Sequence, residues 1–223
     1  MIATTFYDKP IYQQLLGEQI PLQNIINAGE LMNQLFDQQY FDLSCMVPAN
    51  DEVFLDVGCF DGLTVHNFVR WSGNEYREII AFEPDTDCYD KCKKELNDIP
   101  HLTLINKGAW SREEVLRFDA TGVSDSKVSE SGTTRIETCR LDDIVGDKCV
   151  TFLKMDIEGA EKEALIGAER IIREQKPKLA ISIYHKKEDI WEIPQLLMQW
   201  NPEYNFYLRH YSLRFAETVL YAI

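Results

Sequence analysis

Two short acidic clusters in this sequence could bind a positively charged ligand. The first follows an apolar run and reads Asp56-Val57-Gly58-Cys59-Phe60-Asp61-Gly62. Glycine in such a turn lets the backbone approach a ligand at the N-terminus of the next helix. A dinucleotide-binding turn has the pattern Gly-x-Gly-x-x-Gly and cradles a pyrophosphate, which the carboxylates of Asp56 and Asp61 would repel. The turn therefore predicts a ligand that carries an ammonium and a sulfonium.

A third acid narrows the identity of that ligand. Glu83 follows the next predicted strand, Glu78–Phe82, where an acidic side chain can hold both hydroxyls of a ribose. The alternative interpretation of Glu83 is a helix N-cap or a surface acid. Gly108 and Ala109 follow the third predicted strand at the same sheet edge, where the glycine would allow close approach of an adenine. Together these residues predict S-adenosylmethionine.

The second cluster begins at Lys154 and reads Lys-Met-Asp-Ile-Glu-Gly-Ala-Glu. Strand alternation predicts Lys154, Asp156 and Glu158 on one side of the chain. Central parallel strands are normally apolar on both faces, so a lysine near the end of one needs a partner. Asp56, Asp156 and Glu158 are the candidates. Glu161 is explained as a favourable acid in the first turn of the next helix.

Strands and helices alternate around these clusters. The predicted strands are 53–55, 78–82, 102–105, 151–155, 179–183, 206–210 and 217–221, and the predicted helices are 63–71, 87–96, 160–173 and 189–200. The alternation predicts an α/β fold with helices on both faces of a parallel sheet. The last two strands are joined by a short turn near Leu213 and must be antiparallel. A parallel sheet with such a hairpin is typical of methyltransferases and unusual for dehydrogenases.

Two regions depart from this alternation of strands and helices. Residues 1–50 predict a helical N-terminal cap, which could cover the core, close over a substrate or make a homodimer contact. Residues 51–223 predict a Rossmann-like domain, interrupted at about 112–140 by an inserted hairpin.

Composition narrows the class of protein. A net charge of −14 excludes broad contact with nucleic acid. No apolar run approaches the roughly 20 residues of a membrane span, and the N-terminus lacks the features of a secretory signal. A cytoplasmic protein is therefore expected. Six cysteines without metal-ligand spacing predict reduced thiols rather than disulfides or a metal site.

The sequence resembles the FkbM family of methyltransferases. The resemblance covers residues 52–223 and is carried by Phe54-Leu55-Asp56-Val57-Gly58, Ala81-Phe82-Glu83-Pro84-Asp85, Leu141-Asp142-Asp143, the cluster at 154–161, and tail segments such as Tyr184-His185-Lys186. It implies a class I, Rossmann-like three-layer sandwich with a mostly parallel seven-stranded sheet. It also implies S-adenosylmethionine as donor, usually with a hydroxyl acceptor on a sugar, glycan or secondary metabolite. Cys59 departs from the alanine of many relatives.

The expected cofactor residues combine the turn, the strand ends and the resemblance. They are Asp56, Gly58, Cys59, Phe60, Asp61, Gly62, Glu83, Pro84, Gly108, Ala109 and Asp156.

Methylation of a hydroxyl also needs a group that removes its proton. His185 and His210 end the fifth and sixth predicted strands at the cofactor edge and are the candidate bases. Lys154, Asp156 and Glu158 complete the expected catalytic set. A divalent metal at Asp156 and Glu158 is the rival mechanism, but Lys154 could neutralise those carboxylates, so no metal is expected.

Two alternatives remain open for the function as a whole. One is an NAD-dependent oxidoreductase on a doubly wound sheet, against which the missing third glycine and the C-terminal hairpin count. The other is a non-catalytic, cofactor-binding scaffold protein.

Overall fold

The computed structural model describes residues 39–119, 127–128, 134–212 and 216–223. Its strands are β1 (Val53–Val57), β2 (Glu78–Phe82), β3 (Leu102–Ile105), β4 (Gly108–Ala109), β5 (Val115–Asp119), β6 (Lys127–Val128), β7 (Thr134–Cys139), β8 (Phe152–Met155), β9 (Lys178–Ser182), β10 (Phe206–His210) and β11 (Thr218–Ala222). Its α-helices are α1 (Leu63–Trp71), α2 (Thr86–Glu95), α3 (Leu141–Val145), α4 (Glu161–Ile166) and α5 (Asp189–Trp200). Among the described helices, none is long and apolar enough to span a membrane.

The central sheet has seven strands in the order β10-β11-β9-β8-β1-β2-β3. β11 is antiparallel to both β9 and β10, and the other neighbouring strands are parallel. The predicted α/β fold and its antiparallel C-terminal hairpin are therefore confirmed. Because β1, β2, β3, β8 and β9 run in one direction, the residues that follow them meet at one sheet edge.

A smaller sheet has the order β4-β7-β5-β6. β5 and β7 pair antiparallel, with Leu116 opposite Ile136, as the hairpin expected at about 112–140 requires. Most of the tip of that hairpin lies outside the described residues, as do Leu213 in the last turn and residues 1–38 of the predicted cap. The described end of the cap region, residues 39–50, forms turns and no helix.

The helix predicted at 160–173 is wrong in its second half. α4 ends at Ile166, and a π-helical turn occupies Ile171–Gln175. The carboxylate of Asp142 accepts hydrogen bonds from the backbone N–H groups of Arg170 (3.1 Å) and Ile171 (3.0 Å). The side chain of Asp142 therefore accepts hydrogen bonds from backbone N–H groups of this segment, and the regular α-helical pattern is not continued.

Apolar side chains fill both faces of the sheet. On one face, Phe54 of β1 stacks on Phe68 of α1 with ring centroids 4.2 Å apart, and Phe152 of β8 packs at their edge. Phe41, which precedes β1, contacts this aromatic group and is itself buried. The segment at 39–46 is thereby held against the sheet.

One buried ion pair interrupts the apolar centre. Asp56 and Lys154 are register partners in β1 and β8, and Lys154 Nζ lies 3.0 Å from Asp56 Oδ1. Lys154 Nζ also donates a hydrogen bond to the carbonyl of Gly58 (2.7 Å). The exposed side-chain fractions are 2% for Lys154 and 0% for Asp56. Burial alone would lower the pKa of Lys154, but the charges of Asp56 and Asp156 outweigh it and raise the pKa, so the ammonium is kept.

Replacing Lys154 by methionine should destabilise the protein by about 3–5 kcal/mol, because the Asp56 carboxylate would be left buried without a counter-charge. The control is Lys162→Met, which removes a lysine from an exposed pair with Glu192 and should cost less than about 1 kcal/mol. Urea unfolding measures both free energies. Equal losses in the two variants would contradict the role given to the buried pair.

Candidate functional site

The turn after β1 is built around a close backbone approach. Gly58 has a φ of 86°, and a Cβ added there would lie 2.0 Å from the carbonyl oxygen of Asp156. The backbone N–H groups of Gly58 and Cys59 both donate to the carbonyl of Phe82 at 3.0 Å. The turn is therefore fastened to the ends of β2 and β8 together, and only glycine fits at its centre.

A cavity of about 420 Å³ opens at this edge of the sheet. Its lining residues are Gln39, Tyr40, Gly58, Cys59, Phe60, Asp61, Leu63, Thr64, Asn67, Glu83, Pro84, Asp85, Cys88, Lys154, Asp156, Ile157, Glu158 and Glu217. A second cavity of about 40 Å³ shares Gly58, Pro84 and Ile157 with the first and extends to Gly108 and Ala109.

Most of the expected cofactor residues line one of these two cavities. Asp56 and Gly62 line neither of them. Asp56 contacts Lys154 and so supports the cavity from beneath, while Gly62 begins α1 with a left-handed backbone conformation. The six cysteines are free, and Cys59 Sγ lies 3.7 Å from Cys92 Sγ.

The larger cavity is strongly acidic. Its carboxylate residues are Asp61, Glu83, Asp85, Asp156, Glu158 and Glu217. Among its lining residues, Lys154 is the one Lys or Arg, and its ammonium is already paired with Asp56. A ligand with a positive charge suits such a site, whereas a pyrophosphate would be repelled.

Glu83 is fixed at the end of β2 by the backbone. Its Oε2 accepts from Phe60 N–H (3.0 Å) and its Oε1 accepts from Asp85 N–H (2.9 Å). Burial raises the pKa of Glu83 to about 7, although these two donors and the charge of Lys154 act in the opposite direction. The carboxylate therefore titrates near neutrality while its orientation is held.

Behind the cavity, His185 meets three carboxylates. His185 Nδ1 lies 2.8 Å from Glu161 Oε1, and His185 Nε2 lies 3.3 Å from Glu158 Oε2 and 3.5 Å from Asp156 Oδ1. Burial alone would lower the pKa of His185, but the hydrogen bond and charge of Glu161, with Asp156 and Glu158, raise it to about 9. At neutral pH the histidine is therefore an imidazolium, and its charge balances part of this cluster.

Glu158 reaches this cluster by a turn. Alternation along a strand predicts Lys154, Asp156 and Glu158 on one side, but β8 ends at Met155. Glu158 then adopts a φ of 57° and Gly159 a φ of 91°. The strand-alternation argument is thus wrong for Glu158, although the residue does line the cavity.

The sequence interpretation missed four residues of the site. Glu161 does begin α4, but it is fully buried and its Oε1 also accepts from Ile157 N–H (2.9 Å). Tyr40 donates its hydroxyl hydrogen to Asp156 Oδ2 (2.7 Å), and Gln39 Nε2 donates to Glu217 Oε2 (2.7 Å). An acid directly after a Gly-Ala turn was the available signal for Glu161. No local pattern marks the other three.

Neither candidate base lines either cavity. His185 contacts Asp156 and Glu158, both of which line the larger cavity. His210 ends β10 with its Nδ1 2.8 Å from Thr218 Oγ1.

Known proteins share sequence and fold with this chain. Residues 56–208 match the methyltransferase FkbM domain. The chain belongs to the FkbM methyltransferase family. It is 24% identical over 146 residues to the 2-O-methyltransferase NoeI of Sinorhizobium fredii. The aligned residues make up 55% of this chain and 59% of NoeI.

Solved structures show the same fold. The crystal structure of methyltransferase FkbM from Methylobacillus flagellatus KT is 27% identical and superposes with a TM-score of 0.72, covering 84% of this chain and 48% of that one. The present chain thus spans between 48% and 59% of the length of these two relatives. Fibrillarin from Aeropyrum pernix, solved with natively bound S-adenosyl-L-methionine, is 14% identical with a TM-score of 0.56, covering 85% of this chain and 74% of that one. The fold is that of class I methyltransferases.

Replacing Gly58 by alanine tests the backbone approach of this FkbM-family turn. A matched control is Gly73→Ala, because Gly73 also has a positive φ (66°) but a Cβ there would meet nothing within 4 Å. The left-handed conformation should cost about 1–2 kcal/mol in both variants. The clash with Asp156 should add about 1–3 kcal/mol at Gly58 alone. Urea unfolding measures the difference, and equal losses would contradict the close approach.

Proposed function

We propose that this protein transfers a methyl group from S-adenosylmethionine to a hydroxyl group, most fittingly on a sugar or glycan. The observation that carries the proposal is the acidic cavity at the carboxyl ends of β1, β2 and β8. Ligands of open α/β sheets bind at that edge, and this cavity offers carboxylates to a ligand with a sulfonium and an ammonium. The family to which the chain belongs supports the same chemistry.

The cavity has a suitable group for each part of the donor. Glu83, held by two backbone donors, would accept hydrogen bonds from the ribose hydroxyls. The carboxylates of Asp61 and Asp156 lie on the same lining and would attract the ammonium of the methionine portion. Gly108 and Ala109 line the smaller cavity and leave room for the edge of the adenine.

The acceptor would bind in the same cavity. Tyr40, Asp156, Glu158 and Glu217 line it and supply hydrogen-bonding groups of the kind that bind hydroxyls. The sulfonium supplies a methyl group that is already activated for in-line displacement, so the protein has to orient the acceptor and accept one proton. The match to the 2-O-methyltransferase NoeI supports an oxygen atom as the methyl acceptor.

Proton removal would take place at the carboxylates of Asp156 and Glu158. Tyr40 fixes one oxygen of Asp156, and His185 faces both carboxylates from behind, oriented by Glu161. Since His185 is an imidazolium at neutral pH, its part is to position and balance these carboxylates rather than to accept the first proton.

The alternative of an NAD-dependent oxidoreductase is less well supported. Its cofactor has a pyrophosphate, and the carboxylates at the β1 and β2 ends would repel it. A scaffold protein that only binds the cofactor differs from an enzyme in a single measurable property, which is turnover.

Donor affinity should depend on pH through Glu83. The ionised carboxylate is the form that accepts from ribose, so the affinity for S-adenosylhomocysteine should be constant above pH 7 and fall by up to tenfold per unit below it. Glu83→Gln should weaken binding about 10- to 100-fold at pH 8, from the loss of hydrogen bonds to a charged group, and should flatten the pH profile. Calorimetric titration measures both, with the exposed Glu75→Gln as control. Binding of NAD in preference to S-adenosylhomocysteine would contradict the proposal.

Turnover should depend on His185. When the wild-type chain is incubated with methyl-labelled S-adenosylmethionine and a pool of glycosides, it should transfer labelled methyl groups to hydroxyl groups of the glycosides. The rate of this transfer is the quantity measured. His185→Ala should lose at least about 90% of that rate, because Asp156 and Glu158 would no longer be held in position to accept the proton, while its affinity for S-adenosylhomocysteine stays within about threefold. His101→Asn is the control, because it removes an exposed imidazole and asparagine tolerates the left-handed backbone at that position. Unchanged turnover in His185→Ala would contradict the role of this residue.

A further inference from the structure

Five polar side chains form a closed ring of contacts beside the larger cavity. Gln39 Nε2 donates to Glu217 Oε2 (2.7 Å) and to the hydroxyl of Tyr40 (3.1 Å). The Tyr40 hydroxyl donates to Asp156 Oδ2 (2.7 Å). The hydroxyl of Tyr184 closes the ring between the two carboxylates, 3.4 Å from Asp156 Oδ1 and 3.5 Å from Glu217 Oε1. One oxygen of each carboxylate is thus held by a short hydrogen bond and the other by a long one.

The two long contacts leave these carboxylate oxygens able to accept another hydrogen bond. A tyrosine hydroxyl has one hydrogen, so Tyr184 can donate to Asp156 or to Glu217 but not to both. Both distances also exceed the usual range for a hydrogen bond between oxygens, about 2.5–3.0 Å. His185 Nε2, at 3.5 Å from Asp156 Oδ1, adds no shorter contact. A donor from outside the chain would complete the bonding of these two oxygens.

A separate polar group of the cavity also lacks a partner. Asn67 of α1 lines the larger cavity and is 7% exposed, and its Oδ1 has no hydrogen-bond partner among the described residues. Buried polar groups in native structures are nearly always hydrogen-bonded, so an unpaired amide beside a cavity indicates a ligand that supplies the missing bond. The observation is independent of the ring, because Asn67 lies on α1 and the ring joins residues outside that helix.

The chemistry of these groups favours hydroxyls on the ligand. The carboxylates of Asp156 and Glu217 accept hydrogen bonds, and the amides of Gln39 and Asn67 both donate and accept. The acidic lining would repel an anionic group, and an apolar group would leave the polar atoms unpaired. A hydroxyl can donate to a carboxylate and accept from an amide, so it suits both kinds of side chain.

We propose that the acceptor carries hydroxyl groups on two adjacent carbons, as sugars do, and that Glu217, oriented by Gln39, binds the hydroxyl that is not methylated. This diol site rests on the proposed function, in which Asp156 stands beside the reacting hydroxyl. Because Asp156 and Glu217 border the same Tyr184 hydroxyl, neighbouring hydroxyls of one small molecule can reach both carboxylates.

The second hydroxyl takes no part in the bond changes of the reaction. The reacting oxygen forms its bond to the methyl carbon as the bond from that carbon to sulfur breaks, and its proton passes to Asp156. The neighbouring hydroxyl keeps its proton and donates it in a hydrogen bond to Glu217. Glu217 therefore selects and orients the acceptor, while Asp156 accepts the proton.

The backbone at two members of the ring supports a binding role. Tyr40 and Glu217 have φ values of 73° and 68°, in the left-handed region that is uncommon for residues other than glycine. Such conformations cost free energy and persist where the surrounding structure holds them, often at binding sites. The Tyr40 N–H donates to the Tyr221 hydroxyl (3.1 Å), and the Glu217 carbonyl accepts from the Tyr211 N–H (2.9 Å). The ring is therefore held in place before any acceptor binds.

The test compares acceptors that differ by one hydroxyl. The full wild-type chain is given methyl-labelled S-adenosylmethionine and a panel of methyl glycosides, each supplied intact and as the set of its monodeoxy analogues. For a glycoside that is methylated, removing one neighbour of the methylated hydroxyl should lower kcat/KM at least about 100-fold, because the polar groups that bind it would be left unpaired. Removing a more distant hydroxyl should lower kcat/KM less than about tenfold.

Glu217→Gln separates recognition of the second hydroxyl from a role in the fold. The substitution keeps the shape of the side chain and removes its charge, so kcat/KM for the intact glycoside should fall about 10- to 100-fold. For the analogue without the neighbouring hydroxyl, kcat/KM should change less than about threefold, as should the affinity for S-adenosylhomocysteine. The exposed Glu75→Gln is the control and should behave like the wild type with both acceptors.

Three results would overturn the diol site. One is an equal kcat/KM for intact glycosides and for all analogues that lack a neighbouring hydroxyl, a comparison that needs no variant. The second is an equal loss with both acceptors in Glu217→Gln, which would give Glu217 a role in the fold alone. The third is faster turnover of an analogue that carries an amino group in place of the neighbouring hydroxyl.

Failure of the proposed function has a different signature. If the chain binds S-adenosylhomocysteine and methylates glycosides without regard to neighbouring hydroxyls, only the diol site is removed. If it methylates no glycoside of the panel, or does not bind S-adenosylhomocysteine, methyl transfer to a sugar hydroxyl is removed and the diol site with it.

Discussion

The ion pair between Lys154 and Asp56 is the interaction on which the rest of this site depends. It joins β1 to β8 at the point where both strands end, and the same ammonium holds the carbonyl of Gly58. The backbone of the Gly58 turn is thereby pressed against Asp156. Because a lone charge in this interior is very unfavourable, neither partner can be lost without the other, and the two halves of the cavity are kept in one fixed relation.

The acidic residues of the site have different roles because each one is buried in different surroundings. Asp56 faces inward and serves the lysine, Glu83 is held by backbone donors at the neighbouring strand end, and Asp156 faces the cavity. These residues are similar in type and close in space, yet they differ in what they can bind. The FkbM-family cavity therefore separates a structural carboxylate from carboxylates that are available to ligands.

Local sequence patterns predicted much of the fold because they reflect local forces. The helices at Leu63–Trp71 and Asp189–Trp200 and the strand Glu78–Phe82 have the bounds that periodicity indicated. The helix after β8 was mispredicted because a distant carboxylate, Asp142, accepts hydrogen bonds from its backbone. Tyr40 reaches the site for a similarly non-local reason, through contacts with residues far along the chain. Packing of this kind leaves no periodic trace in the sequence.

The position of β11 has a consequence for how the protein is assembled. This strand follows β10 along the chain but lies between β10 and β9 in the sheet. The strands that carry the Gly58 turn and Glu83 are neighbours both in sequence and in space, so they can pair while later segments are still being synthesised. Glu217, by contrast, directly precedes β11, and its partner Gln39 precedes β1. A nascent chain would thus form the Gly58 turn and the Glu83 strand end first, and would bring Glu217 and Gln39 together only after the last strand has inserted.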